Sequence, residues 1–130
     1  MIGFAVRSIF LAAAVSTLGL SLASAAERKL TGPEIETMLA DVTVTGGSGE
    51  GAFKQYFAAS GQTIYVGTEA TPSNGNWRVK GDQYCSVWPP NGNWVCYDVE
   101  GEPEATPPTI TWVGESGTRY PGTVEKGNKL

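Results

Sequence analysis

The segment from Pro72 to Val99, PSNGNWRVKGDQYCSVWPPNGNWVCYDV, holds both cysteines of the chain and three of its four tryptophans. It also carries the pattern Pro-x-Asn-Gly-Asn-Trp twice, seventeen residues apart. Two cysteines this close, set among alternating apolar residues and turn formers, restrict the segment to β-hairpins. Placing Gly81-Asp82 as a two-residue turn with Gly first, as a type II′ hairpin prefers, sets Val79 opposite Tyr84 and Trp77 opposite Ser86. Setting Cys85 opposite Cys96 then places Tyr84 against Tyr97 and Ser86 against Val95. Trp77, Val79, Tyr84, Val95, Tyr97 and Val99 fall on one face, and Arg78, Cys85 and Cys96 on the other, as period-2 pleating requires. The tip of the second hairpin is open between Pro90-Asn91 and Asn91-Gly92, and a loop over residues 89–93 satisfies both.

The start of the chain reads as an export leader. Arg7 provides a positive n-region, Ile9 to Leu22 is an apolar run, and Ala23-Ser24-Ala25 is a small-x-small cleavage site. The alternative is a membrane anchor, but residues 1–25 fit a signal peptide better, leaving a single domain over residues 26–130. Loss of Arg7 changes the net charge from −4 to −5. An acidic chain without a basic patch argues against nucleic acid and against an anionic membrane surface as partners. Two cysteines in an exported chain point to one disulfide, Cys85–Cys96, in an oxidising compartment, periplasmic or secreted.

Leu30-Thr31-Gly32-Pro33-Glu34-Ile35 is a helix start: Thr31 as N-cap, Glu34 reaching back to it, and Leu30 and Ile35 as the hydrophobic staple. Ile35, Met38 and Leu39 share one face of a short helix that ends near Asp41. From there the period is that of strands, expected near 41–46, 51–59, 62–69, 76–80, 83–88, 93–99, 108–114 and 118–125. A turn at Ser60-Gly61 would set Phe57 opposite Ile64. Glu100 to Pro108 reads as a solvated, Pro-rich loop, and residues 125–130 as a frayed tail. The expected fold is all-β: an antiparallel meander of seven or eight strands with one short N-terminal helix. Short connections between sequence neighbours favour a small closed or partly open barrel over a sandwich.

Leu30 and Gly32, the aromatic pair Tyr56-Phe57 before Gly61, and the run Gly75-Asn76-Trp77-Arg78-Val79-Lys80-Gly81-Asp82-Gln83-Tyr84-Cys85 followed by Cys96 carry a resemblance. On these residues the chain resembles a family of small exported alphaproteobacterial proteins of unknown function with a Gly-x-Trp-x-Val-x-Gly-Asp-x-x-Cys motif. The resemblance covers most of the mature chain and implies a compact β-meander of calycin, lipocalin-like, type. Lipocalins carry Gly-x-Trp on the first strand, whereas here it falls on about the fourth. The family supplies no catalytic residues.

Several familiar chemistries are excluded by residue type. The chain contains no histidine, which removes histidine-activated nucleophiles and the common His-containing zinc sites. The paired thiols lack the CxxC spacing of redox centres. Gly46 to Gly51 is glycine-rich, but no Lys-Ser/Thr follows and no helix is expected after it, so it reads as a hairpin loop. Asp98, Glu100, Glu102 and Glu104 in a Pro-rich stretch read as solvated rather than as a calcium site. No enzyme activity, metal or cofactor is therefore expected.

Among the aromatic residues, Trp77 and Trp112 read as core and Trp88 as hairpin tip. Asn74-Gly75-Asn76 and Asn91-Gly92-Asn93 read as turns. Trp94 shares the outer face with Val87, Arg78 and the disulfide. It either covers the disulfide or offers a binding face for a sugar or protein. The function expected is that of an exported, monomeric, non-catalytic binding or accessory protein of the periplasm or cell envelope. One alternative is a small-molecule or glycan binder using the barrel interior or the Trp94 face. Another is an inhibitor of a cationic wall-degrading enzyme. A hollow interior favours the ligand carrier, and a filled one excludes it.

Overall fold

The computed structural model describes Gly19, residues 26–69 and residues 71–130. The leader expected over residues 1–25 lies, but for Gly19, outside the described residues. In chain order the elements are β1 (Arg28–Lys29), α1 (Gly32–Leu39), β2 (Val42–Gly46), a 3₁₀ turn (Gly49–Gly51), β3 (Phe53–Phe57) and β4 (Gln62–Val66). They continue as β5 (Ser73–Lys80), β6 (Gln83–Val87), β7 (Val95–Glu102), β8 (Thr109–Val113) and β9 (Arg119–Lys126). Each strand from β2 to β9 pairs antiparallel with the next, and β9 pairs back onto β2. The expected meander is thus a closed eight-stranded barrel with one extra strand. Trp77 lies on β5, the fourth strand of the ring.

Helix α1 forms for the reasons its first residues suggest. Thr31 is the N-cap, and its N–H donates to Glu34 Oε1 at 3.2 Å, closing a capping box. The helix ends at Leu39, and Asp41 takes a left-handed φ of 59°, which stops the helical ladder. Leu30, Ile35 and Leu39 are fully buried and join Val42, Val99, Ile110 and Phe57 in the core. Burying side chains of this size contributes about 1.5–3 kcal/mol each. The helix lies against β2, β5 and β6, so these residues stopper one end of the barrel.

The hairpins of the Cys-rich segment have the expected register. Val79 pairs with Tyr84 and Trp77 with Ser86 across the Gly81-Asp82 turn. Across the next hairpin Tyr84 pairs with Tyr97, Cys85 with Cys96, and Ser86 with Val95. Cys85 and Cys96 form a disulfide. Trp77 is buried in the core, its indole Nε1 donating to Ala58 O at 2.9 Å. The connecting loop runs from Trp88 to Trp94, longer than the 89–93 loop expected.

Four expectations are corrected. Phe57 pairs with Thr63 rather than with Ile64, because the β3–β4 connection is a three-residue loop. Ala58 N–H bonds Gln62 O at 2.8 Å, Gly61 N–H bonds Ala58 O at 3.0 Å, and Gly61 takes φ 98°. The one-residue shift turns Thr63 and Tyr65 inward and Ile64 and Val66 outward. Asn74-Gly75-Asn76 is not a turn but part of β5. Glu100 to Glu102 continue β7, where Lys29 pairs with Glu100 and Arg28 with Gly101, in the lane that β6 leaves after pairing with Asp98. The C-terminal residues are held rather than frayed. Glu125 and Lys126 belong to β9, Gly127 N–H donates to Asp41 O at 2.8 Å, and Lys129 N–H donates to Thr43 Oγ1 at 2.9 Å.

No helix among the described residues is long and apolar enough to cross a membrane. The barrel strands have five to eight residues, fewer than the roughly nine to eleven a membrane strand needs. The apolar cluster lies inside, while Lys54, Arg78, Lys80 and Glu125 are exposed on the outside. That polarity is the reverse of a membrane barrel's.

Candidate functional site

The end of the barrel opposite α1 is hollow. A cavity of about 690 Å³ opens there between the C-terminal ends of β4, β6 and β8 and the N-terminal ends of β3, β5, β7 and β9. This size lies within the roughly 300–1,000 Å³ of small-molecule pockets. The barrel is therefore packed at one end and open at the other, a division that follows from the placement of α1.

Its wall is largely aromatic. On one side Phe53 and Tyr65 stack with ring centroids 5.5 Å apart, and Tyr65 meets Trp88 edge to face at 6.3 Å. On the other side Tyr97 meets Tyr120 edge to face at 6.3 Å. Tyr84 and Trp112 meet at 5.7 Å deeper in, and Phe57 stacks on Trp112 beneath them. Trp88 follows the end of β6 and folds back to the mouth, with Tyr65 and Gly75 as neighbours. A Cβ at Gly75 would lie 2.6 Å from Trp88 Cε3, so the indole occupies the room a side chain would need.

The deeper surface is polar. Gln55 and Ser86 are both buried at inward positions and line the cavity. Gln55 Nε2 donates to Thr63 Oγ1 at 3.0 Å and reaches Tyr84 Oη at 3.4 Å, while Thr63 Oγ1 donates to Tyr56 O at 2.8 Å. Trp112 Nε1 is buried without a hydrogen-bond partner. Burial pushes the Tyr84 phenol far above its usual range, and the hydrogen bonds of Ser86 and Gln55 offset this only in part. Burial also raises Tyr97, with a further rise from neighbouring Tyr120. Both phenols stay uncharged at neutral pH. Arg119 is the charged residue in the lining. Its guanidinium is taken up by Glu100 at 2.7 Å and Glu27 at 3.1 Å, and the Glu100 hydrogen bond raises its pKa further.

The outer face singled out in the sequence is also assembled. Trp94 is 37 % exposed, and the Arg78 guanidinium carbon sits 4.0 Å over its ring centroid. This cation–π contact occupies one face of the indole beside the disulfide. Val87 is buried, with 8 % exposure, so this face presents Trp94 and Arg78 to solvent but little of Val87. The acidic residues read as solvated act in part as counter-ions: Asp98 faces Lys29 at 3.7 Å and Glu100 binds Arg119. Among the described residues no group of three or more His, Cys, Asp or Glu is placed to hold a metal ion.

Phe53, Gln55, Tyr65, Ser86 and Tyr120 were not legible as site residues in the sequence. The usable signal was a polar residue at an inward position, Gln55 between Phe53 and Phe57 with the same pleat parity. No family model matches the chain, and neither a curated protein nor a solved structure matches it.

Proposed function

We propose that the chain is an exported, non-catalytic binding protein that receives a small ligand in the open mouth of its barrel. The observation that carries this reading is the cavity of about 690 Å³ with aromatic walls and a polar floor of Gln55, Ser86 and Tyr84. A barrel of eight strands is just wide enough to be filled or to hold one small ligand. Here the helix fills one end, so the other is left for a guest. Export is supported by the leader pattern over residues 1–25 and by the Cys85–Cys96 disulfide. The calycin-like resemblance accords with a barrel that binds at its mouth. The lack of histidine and the pairing of both thiols support binding rather than turnover.

The test is a probe panel of sugars, fatty acids and planar heterocycles, followed by tryptophan fluorescence and protein-observed NMR. Saturable binding that moves the resonances of Tyr65, Trp88 and Tyr97, without consumption of the probe, is expected. Binding that maps to Trp94 and Arg78 instead would sink the mouth as the site.

A further inference from the structure

We infer that the ligand of the mouth is an uncharged, planar aromatic or heteroaromatic molecule bearing a carbonyl-type hydrogen-bond acceptor. This rests on the reading of the mouth as the binding site and narrows it to a chemical class.

Planarity follows from how the ring of strands places its aromatic residues. In a closed ring of eight, strands four apart lie across the interior from each other, so β3 is across from β7 and β4 from β8. That sets Phe53 across from Tyr97 and Tyr65 across from Trp112. All four line the cavity. Two aromatic walls facing each other favour a flat guest that presents a π-face to each.

Neutrality follows from the charges. The lining's guanidinium, Arg119, already has two carboxylate partners, Glu27 and Glu100. A charged group carried to the polar floor would meet no free counter-ion there, only Gln55, Ser86 and neutral phenols. An unpaired charge in such surroundings is costly.

The acceptor follows from Trp112. Its Nε1 is the buried side-chain nitrogen or oxygen among the described residues that has no hydrogen-bond partner, and its side chain lines the cavity. A buried donor left unpaired is a penalty that a ligand acceptor removes. Gln55 Nε2 is already engaged with Thr63 and Tyr84, so among the buried side-chain nitrogens of the lining Trp112 Nε1 is the one without a partner.

The test compares flavone, a neutral planar ketone, with 2-phenylindole, which is flat and uncharged but offers a donor in place of the carbonyl. Palmitate and chitotriose stand for flexible anions and sugars. Binding is followed by tryptophan fluorescence and located by NMR on the full mature chain. Flavone is expected to bind at the mouth about tenfold more tightly than 2-phenylindole, the value of one net hydrogen bond. Trp112→Phe, which keeps an aromatic ring but removes the indole N–H, is expected to erase that preference. Equal affinities of the two probes for the unmodified protein would overturn the inference without recourse to the variant, and so would a preference that survives Trp112→Phe. Palmitate or chitotriose seated in the mouth in preference to flavone overturns the chemical class and leaves the mouth as a binding site. If none of the four probes binds saturably, the mouth reading itself falls.

Discussion

Gly32 and Asp82, fifty residues apart in sequence, meet at the stoppered end of the barrel, where the Gly32 N–H donates to Asp82 Oδ1 at 2.7 Å. The donor is one of the unpaired N–H groups in the first turn of α1, and the acceptor lies in the tight turn between β5 and β6. The approach is so close that a Cβ on Gly32 would sit 2.1 Å from Gly81 O. The Leu30-x-Gly32 element and the Gly81-Asp82 pair, two separate parts of the sequence motif, are thus the two halves of one contact. It fixes the helix as the stopper, and so decides which mouth stays open.

Gly32→Ala is expected to destabilise the fold by about 1–3 kcal/mol, because backbone must move to admit the methyl group. Asp82→Ala, which removes only the acceptor, should cost about 1 kcal/mol, the usual value of a lost helix cap. Urea denaturation midpoints measure both. A Gly32→Ala protein as stable as the parent would mean that the helix is not held against the turn.

Glu34 is held down to about 2, chiefly by its hydrogen bonds from Arg28 and then by the Thr31 N–H. A carboxylate whose folded pKa lies below its ordinary 4.5 contributes stability that is complete above that ordinary value and is lost as pH falls towards the folded one. The urea midpoint should therefore decline between about pH 4.5 and pH 2. Glu34→Gln should flatten the part of the decline that belongs to this group. The side chain is exposed, so the effect is expected to be small and to shrink further in high salt.

Removing the disulfide with Cys85→Ala and Cys96→Ala together should lower stability by about 2–3 kcal/mol, the chain-entropy value for a loop of this length. The sequence separation is 11 residues, and the hairpin register does not depend on the bond alone. Circular dichroism should therefore still report a folded β-protein at moderate temperature. Loss of the fold on reduction would show that the Tyr84–Tyr97 pairing cannot hold without it.

Gly75→Ala should dislodge Trp88 from the mouth, since the new methyl would fall 2.6 Å from both its ring and Val87 O. The expected result is a red-shifted tryptophan emission, with partial loss of stability as β5 and β6 adjust. Trp88→Ala separates the two effects, because it empties the mouth wall without crowding the strands. An unshifted emission in Gly75→Ala would contradict the seating of Trp88 over Gly75.

What the chain determined by itself was local. Turn chemistry at Gly81-Asp82, strict alternation from Trp77 to Val99 and the spacing of two cysteines were enough to set two registers correctly, β5 on β6 and β6 on β7. The capping box at Thr31 and Glu34 was enough to start the helix. These signals act over a few residues, where backbone sterics and side-chain period leave one arrangement. The rest depended on closure. The Phe57–Thr63 pairing could not be read because apolar-in alternation favoured Ile64, and the inner surface near the mouth breaks that rule by turning Gln55, Thr63 and Ser86 inward. The lane taken by β1 exists only because β6 begins at Gln83, paired with Asp98, and leaves the rest of β7 beyond it free on that side. The C-terminal residues are held only because β9 closes on β2, bringing Gly127 to Asp41. Above all, a hollow mouth is a property of what fills the other end. Short-range pattern specifies strands and faces, while the space between them is set by distant segments that meet only in the closed barrel.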